Sequence, residues 1–383
     1  MPVPRKKLLS PFYRKRSTKS RFKIRRPSSG PKIRPKSIFK NLKRKLGLLL
    51  LAVISIGITT AILTGVSAYK FINAPFTSAS YLSNTDGGKI WTDDKEQIHL
   101  ALLIVNDKEN KYSEIKNLSL INFDKTTSRY TIYHIPVDEE VEYALNAGNG
   151  PLRRIYAVGN ADQDRGIYLL EKTLLKLLAV KIDGYIIIDQ SGFDEIESLM
   201  GEIDSDDLSA SLRIRNSYKI PSLFETFRNV AITDLKIEDL WNILDFIRGT
   251  SHTSSKEITL NKYQLLDPNN WDNLWQEKLS ISNVQKESVK VYVANCSDPK
   301  IIGLANWGAR VVKNLGASVL DTKNSESPLK ENTIVTKNPD LFTVKLLKET
   351  LSINKVYAIE DLPEGEYDPE IYRSEISLIL VNF

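Results

Sequence analysis

The sequence predicts a membrane-anchored α/β protein whose bulk lies on the far side of the bilayer. Three observations point there. One long apolar segment carries no charge. The balance of charge reverses across that segment. Beyond it, short apolar runs alternate with helically spaced leucines.

The apolar segment runs from Leu46 to Tyr69, 24 residues bracketed by Lys45 and Lys70. At ~1.5 Å per residue a helix of this length reaches about 36 Å, enough to cross a ~30 Å hydrocarbon core with tilt. Val66-Ser67-Ala68 loosely resembles a cleavage site, but the apolar stretch is too long for a signal peptide. The chain of 383 residues has a net charge of +6. Residues 1–45 hold 18 of its 53 basic side chains and no Asp or Glu, so the remaining 338 residues carry 35 basic and 47 acidic groups, a balance of −12. This division places the N-terminus in the cytoplasm and residues 70–383 outside it. It also excludes a uniformly basic nucleic-acid-binding protein. The single Cys296 excludes an internal disulfide framework and a Cys-clustered zinc site, and three histidines leave little scope for His-based metal or triad chemistry.

The tail 1–45 is rich in Pro, Ser and basic residues and lacks an apolar period, so it reads as disordered. Its simplest role is to set topology and to attract anionic lipid headgroups, at ~1 kcal/mol per basic residue near the surface. The alternative is a nucleic acid or cytoplasmic partner, with Phe12, Tyr13, Phe22 and Phe39 as stacking groups.

Residues 70–95 read as a spacer. A mixed-sheet α/β domain follows over 96–266. Within it, 99–106 is an apolar run of strand length, and 118–124 with 129–137 form a hairpin. The leucines of 164–180 recur at helical spacing, and 183–189 is a strand. Helices are predicted over 192–201, 221–230 and 236–249, and 257–260 closes the sheet. Residues 267–286 read as a polar linker whose Trp271 and Trp275 dock onto a domain. The remainder, 287–383, is a small two-layer α/β unit of order β-α-β-β-α-β, with strands at 288–295, 317–322, 331–338 and 376–383 and helices at 301–316 and 341–352.

Several residues carry a family resemblance. Asn295, Gly303-Leu304-Ala305, Gly316-Ala317-Ser318-Val319 and Asn332-Thr333-Ile334 resemble the LytR C-terminal domain over 288–383. Ile135-Pro136-Val137-Asp138, Arg154-Ile155-Tyr156-Ala157, Ile182-Asp183-Gly184-Tyr185, Ser191-Gly192-Phe193 and Ile232-Thr233-Asp234-Leu235 resemble the LytR-CpsA-Psr (LCP) module over about 96–266. The resemblance implies an α/β/α domain behind one membrane helix. It also implies an envelope phosphotransferase moving a glycan from polyprenyl-pyrophosphate lipid to peptidoglycan, with Mg²⁺ at the pyrophosphate. Such chemistry uses Arg forks on the phosphates and an Asp on the metal.

The sequence departs from that pattern where the chemistry sits. Val137 stands where the family has the Arg of Pro-Arg-Asp, Lys116 falls where a metal-associated Asp is expected, and no Arg-Gln pair lies between Gly201 and Pro221. Loss of an anion-binding Arg together with a metal-binding Asp removes the main source of rate in phosphoryl transfer. The sequence therefore predicts a binder of lipid-linked or wall glycans, or of envelope partners, with little or no catalysis, and implies Mg²⁺ only if the chain is active. The alternative is an active Mg²⁺ enzyme with relocated arginines. Candidate anion-binding residues are Asp138, Arg153, Arg154, Arg165, Arg213 and Arg215. The acidic run Asp204, Asp206 and Asp207 lacks calcium-loop spacing, Asn117-Leu118-Ser119 fits a glycosylation triplet at a strand entrance, and Cys296 reads as a packed thiol.

Overall fold

A computed structural model describes residues 89–162, 164–200, 220–250, 255–277 and 282–382. The predicted span with its ends Leu46 and Tyr69, the basic tail, Arg213, Arg215, His252 and the Asp204–Asp207 run lie outside these residues. No helix among the described residues is long and apolar enough to cross a membrane.

The first lobe is built on β1 (Gln97–Val105), β2 (Ile115–Asp124) and β3 (Arg129–Ile135), an antiparallel meander. A small hairpin follows, β4 (Glu140–Glu142) and β5 (Asn149–Pro151). After a 3₁₀ turn at Leu152–Arg154 come α1 (Ile155–Ala161) and α2 (Gly166–Leu178). Next are β6 (Gly184–Asp189), α3 (Gln190–Met200), α4 (Ile220–Val230), β7 (Ala231–Thr233), α5 (Ile237–Gly249) and β8 (Ser255–Thr259).

The six-stranded sheet has the order β7-β6-β1-β2-β3-β8. β1 is parallel to β6 and β3 is parallel to β8. β1, β3, β6 and β8 therefore all point the same way, and their carboxyl ends share one edge.

Both faces of this sheet are covered, which explains why β1 reads as a continuous apolar run rather than an alternating one. Ala101, Leu103 and Val105 face α1 and α2, where Leu169, Leu170, Leu174 and Leu178 complete the core. Ile98 and Leu100 face the other way, against Phe224 of α4 and Leu240 and Ile243 of α5. The α1–α2 crossing is held by two glycines. A Cβ on Gly159 would stand 2.7 Å from the Cα of Gly166, closer than real Cβ contacts allow.

The connector is not a loose linker. It contributes α6 (Lys262–Leu266), α7 (Pro268–Gln276) and α8 (Ser282–Glu287). Asp267 caps α7 by accepting the Asn269 N–H at 3.0 Å, and Pro268 takes the first helical position. Trp271 and Trp275 are fully buried and stack on each other at 5.3 Å between ring centres. Their indoles also pack on Tyr133 at 5.3 and 5.7 Å.

The second lobe comprises β9 (Lys290–Asn295), α9 (Leu304–Asn314), β10 (Ser318–Asn324), β11 (Thr333–Thr336), α10 (Phe342–Leu351), β12 (Lys355–Ala358), α11 (Pro369–Arg373) and β13 (Ile376–Leu380). Its sheet runs β10-β9-β13-β11-β12. The six-element order predicted for it gains β12 and α11, both too short to leave a periodic signal. The predicted two-layer form also gains a third layer. α9 and α10 cover one face through Val311, Val312, Val344 and Leu347. Ile371 of α11, with Leu362 and Tyr367, closes Tyr292 and Ile379 on the other. Cys296 belongs to this second cluster, and burial pushes its thiol up to about 11, as expected of a packed thiol.

The two lobes meet at the carboxyl end of α2. Arg310 of α9 donates to Asp272 of α7 from Nε at 2.7 Å and Nη2 at 3.1 Å, with both side chains largely buried. Removing one partner from a buried pair leaves an uncompensated charge, at about 3–5 kcal/mol. Arg310→Leu is expected to lower unfolding free energy by about that amount in a denaturant titration, and Asp272→Asn with Arg310→Leu to recover part of it.

Candidate functional site

The carboxyl edge of the first sheet is where parallel strands of an open α/β sheet offer a crevice. The chain turning off β3 there is tied to the 3₁₀ turn behind it by two backbone bonds. Arg153 N–H donates to Val137 O at 2.7 Å, and Leu152 N–H donates to Glu139 O at 3.0 Å. These bonds bring Arg153 and Arg154 beside Asp138. The Arg153 Nη1 donates to Asp138 Oδ1 at 2.6 Å. Glu114, at the entrance to β2, lies 3.6 Å from Arg153 Nε and 3.5 Å from Arg154 Nε.

Three of the sequence-predicted residues, Asp138, Arg153 and Arg154, are therefore brought together. Arg165 is not part of this group. It sits at the N-cap of α2, beyond the far end of α1, and α1 is about 10 Å long.

Glu114 is the residue that sequence reasoning missed. Lys116, which the sequence sets where the family has a metal-associated Asp, lies two residues further on. The β1–β2 register shifts between Ile104 and Val105, which pair with Asn117 and Ile115. Lys116 is the extra residue of this bulge and is exposed. Val137, in place of the expected Arg, packs against the main core.

The arrangement has a definite electrostatic character. The arginines are balanced by carboxylates, and every member is well exposed, from 42% for the Glu114 side chain to 76% for Asp138. The Arg153 guanidinium bridges Glu114 and Asp138, standing where a divalent cation shared by the two carboxylates would have to sit. In this arrangement the two carboxylates hold the guanidinium and not the Mg²⁺ that the family resemblance implies. Among the described residues no group of three or more His, Cys, Asp or Glu is placed to hold a metal.

One further polar constellation lies on the sheet itself. Ser119 Oγ is 3.0 Å from His134 Nδ1, and His134 Nε2 is 3.5 Å from Glu257. It links β2, β3 and β8 side by side. Ser119, the third residue of the Asn-Leu-Ser triplet, is thereby buried in the sheet.

A second concentration of titratable groups lines a cleft of about 500 Å³ between α2, the start of β6 and α10. Burial pushes Glu171 up to about 7, with the negative charges of Asp234 and Asp183 adding to it against Lys172 and Lys181. Burial likewise pushes Asp234 up to about 7, although it accepts the Tyr185 N–H at 2.9 Å. At the inner end, Lys95 donates to Asp183 at 2.8 Å. Burial opposes both charges, and their pairing outweighs it, so Asp183 stays below and Lys95 above its ordinary value.

No family model matches the chain, and no curated protein matches it. Similar solved structures include the transcriptional regulator yvhJ from Bacillus subtilis, at 16% identity over 44% of this chain and 84% of that chain with a TM-score of 0.35. B. subtilis TagV is similar at 13% identity over 44% and 85% with a TM-score of 0.37. B. subtilis TagT is similar at 14% identity over 48% and 87% with a TM-score of 0.31. Likeness this loose decides nothing about activity.

Two outcomes follow from the electrostatics. Exposed ion pairs are worth ~0–1 kcal/mol, so Arg153→Ala and Glu114→Gln are expected to shift thermal unfolding little. The raised carboxyls act differently. An unfolded Glu or Asp ionises near pH 4, whereas Glu171 and Asp234 hold their protons to about 7 when folded. Their burial therefore costs nothing below pH 4, and its cost grows as pH rises to 7. Glu171→Gln is expected to leave stability unchanged at pH 4 and to raise it by about 2 kcal/mol at pH 8. Calorimetry at the two pH values checks the sign.

Proposed function

We propose that this chain is a single-pass membrane protein of the cell envelope, of LytR-CpsA-Psr type. In this reading residues 1–45 lie in the cytoplasm against anionic headgroups, Leu46 to Tyr69 span the membrane, and residues 70–383 lie outside. Residues 287–383 serve as the LytR-type C-terminal domain. The protein binds a lipid-linked or wall glycan, or an envelope partner, with little or no phosphotransfer.

The observation that carries the non-catalytic reading is the Arg153 bridge between Glu114 and Asp138. A guanidinium committed to two carboxylates is a weak anion site, and the carboxylates it holds are not free for a cation. The order of strands and helices, the apolar anchor and the motifs around Asp138, Asp183 and Asp234 support the family reading.

A second reading is favoured by one feature of the same edge. Two arginines and two carboxylates are the residue types that a pyrophosphate with its metal requires, and exposed pairs rearrange at low cost. Under that reading the chain is an active Mg²⁺-dependent phosphotransferase.

One experiment separates the two. The full chain in detergent is incubated with a polyprenyl-pyrophosphate analogue and Mg²⁺. Saturable binding without release of phosphate or lipid phosphate is expected. Mg²⁺-dependent release that disappears in Arg154→Ala would sink the non-catalytic reading.

A further inference from the structure

The cleft of about 500 Å³ between α2, the start of β6 and α10 is lined by lysines from both lobes. Lys172 comes from α2 and Lys181 from the turn that leads into β6. Lys345 and Lys348 come from α10. The lining carboxyls are Glu171, Asp183, Asp234 and Glu349.

Much of this charge is already spoken for. Asp183 is paired with Lys95, and Lys345 with Asp94. Glu171 and Asp234 hold their protons to about 7. Below neutral pH this leaves Glu349 as the lining carboxylate that faces Lys172, Lys181 and Lys348, and the charge of Glu349 also acts on Lys95. Lys172, Lys181 and Lys348 are in no ion pair among the described residues. The Lys172 Nζ rests 5.5 Å from the ring centre of Tyr168. Burial holds the Lys172 ammonium below its ordinary value, and the neighbouring Lys181 adds to this against the pull of Glu171. A half-buried ammonium beside a second cation, with a neutral acid next to it, lacks a countercharge.

That deficit selects the occupant. A cation would meet three lysines, and a neutral ligand would leave them uncompensated. An oxyanion accepts charge-assisted hydrogen bonds from ammonium groups and further bonds from hydroxyls and protonated carboxyls. Ser352 and Thr350 supply hydroxyls in the same lining, and Glu171 a protonated carboxyl.

We propose that this cleft binds a small oxyanion, a phosphate or sulfate group, between Lys172 and Lys181 of the first lobe and Lys348 of the second. The cleft has the size of a small-molecule site, so the group is carried on a compact molecule and is not a lone ion. The site shares no residue with the Glu114, Asp138, Arg153 and Arg154 group and does not rest on the reading given for that edge.

Occupancy follows pH. Glu171 faces Asp234, Asp183, Lys172 and Lys181, and Asp234 faces Asp239 and Asp183. α10 brings Lys345, Lys348 and Glu349 to the same space. As pH rises through about 7, Glu171 and Asp234 both ionise, and the added negative charge opposes an anion.

The test is isothermal titration of the full chain in detergent, at low ionic strength, with inorganic sulfate and with phenyl sulfate. Both probes keep a constant charge between pH 6 and pH 8, so any change in affinity belongs to the protein. Saturable binding at pH 6 and weaker binding at pH 8 are expected, with phenyl sulfate the tighter of the two. Lys172→Gln and Lys348→Gln are each expected to weaken binding at pH 6 about three- to tenfold, as the loss of one charge-assisted hydrogen bond implies, with thermal unfolding unchanged. Glu171→Gln is expected to lose less affinity than the parent chain between the two pH values. No saturable heat with either probe at pH 6 would overturn the proposal, and so would binding indifferent to both lysine variants. Tighter binding of the free ion would overturn the carried group. Loss of binding in Arg154→Ala would move the site to the arginine edge and overturn the proposal as well.

Discussion

The two lobes are held together by the way one helix ends. The last carbonyls of an α-helix have no partner within the helix, and those of α2 point into the interior. Leu177 O accepts Arg310 Nη2 at 2.9 Å, and Leu178 O accepts both Trp271 Nε1 at 2.7 Å and Asn314 Nδ2 at 3.1 Å. Leu175 O accepts Trp307 Nε1 at 3.3 Å. These donors come from the connector and from α9, so elements nearly a hundred or more residues along the chain complete one helix terminus. Asp272 then ties the donors to one another, accepting from Arg310 and, at 2.9 Å, from Asn314. Ala179 leaves the helix with a φ of +51°, which turns the chain away and keeps the carbonyls accessible to these side chains. The end of α2, α7 and α9 are therefore tied into one buried polar network, in which each bond strengthens the others.

Burial separates two kinds of charge in this molecule. At the carboxyl edge the ion pairs are wet, inexpensive and rearrangeable. At the interlobe seam the Lys95–Asp183 pairing outweighs the burial of both charges, and burial raises Glu171 and Asp234 to about 7, which Lys172 and Lys181 only partly oppose at Glu171.

The elements visible in the sequence were those with enough length to show a period. β1, the β2–β3 hairpin, β6 and α2 lie where apolar runs and leucine spacing predict them. The three-residue β7, the half-buried β12 and the five-residue α11 carry no such signal. They exist because neighbouring strands and helices offer them partners. The role of Trp271 and Trp275 was partly legible, as aromatic residues in an otherwise polar stretch. Their bonds to the end of α2 were not, because no local pattern records a contact across such a distance in sequence. Glu114 was hidden for a different reason. A lone acidic residue in a polar stretch carries no motif, and only the folded chain brings it beside Arg153 and Arg154. Arg153, Arg154 and Asp138 were legible as residue types at loop positions. That the same arginine would occupy both carboxylates depends on backbone bonds between two turns.

The position of β13 in the second sheet sets the order in which that lobe can assemble. β13 lies between β9 and β11, so it joins one half of the sheet to the other. It is also the last strand in sequence among the described residues. During synthesis β9 and β10 can pair, and so can β11 and β12, but the two halves have nothing between them until β13 arrives. The lobe therefore closes by inserting a central piece into a waiting gap, a long-range pairing that is slow by nature. Until then the edges of β9 and β11 that β13 joins have no strand between them. These form a strand-lined slot open to any extended apolar segment that reaches it first.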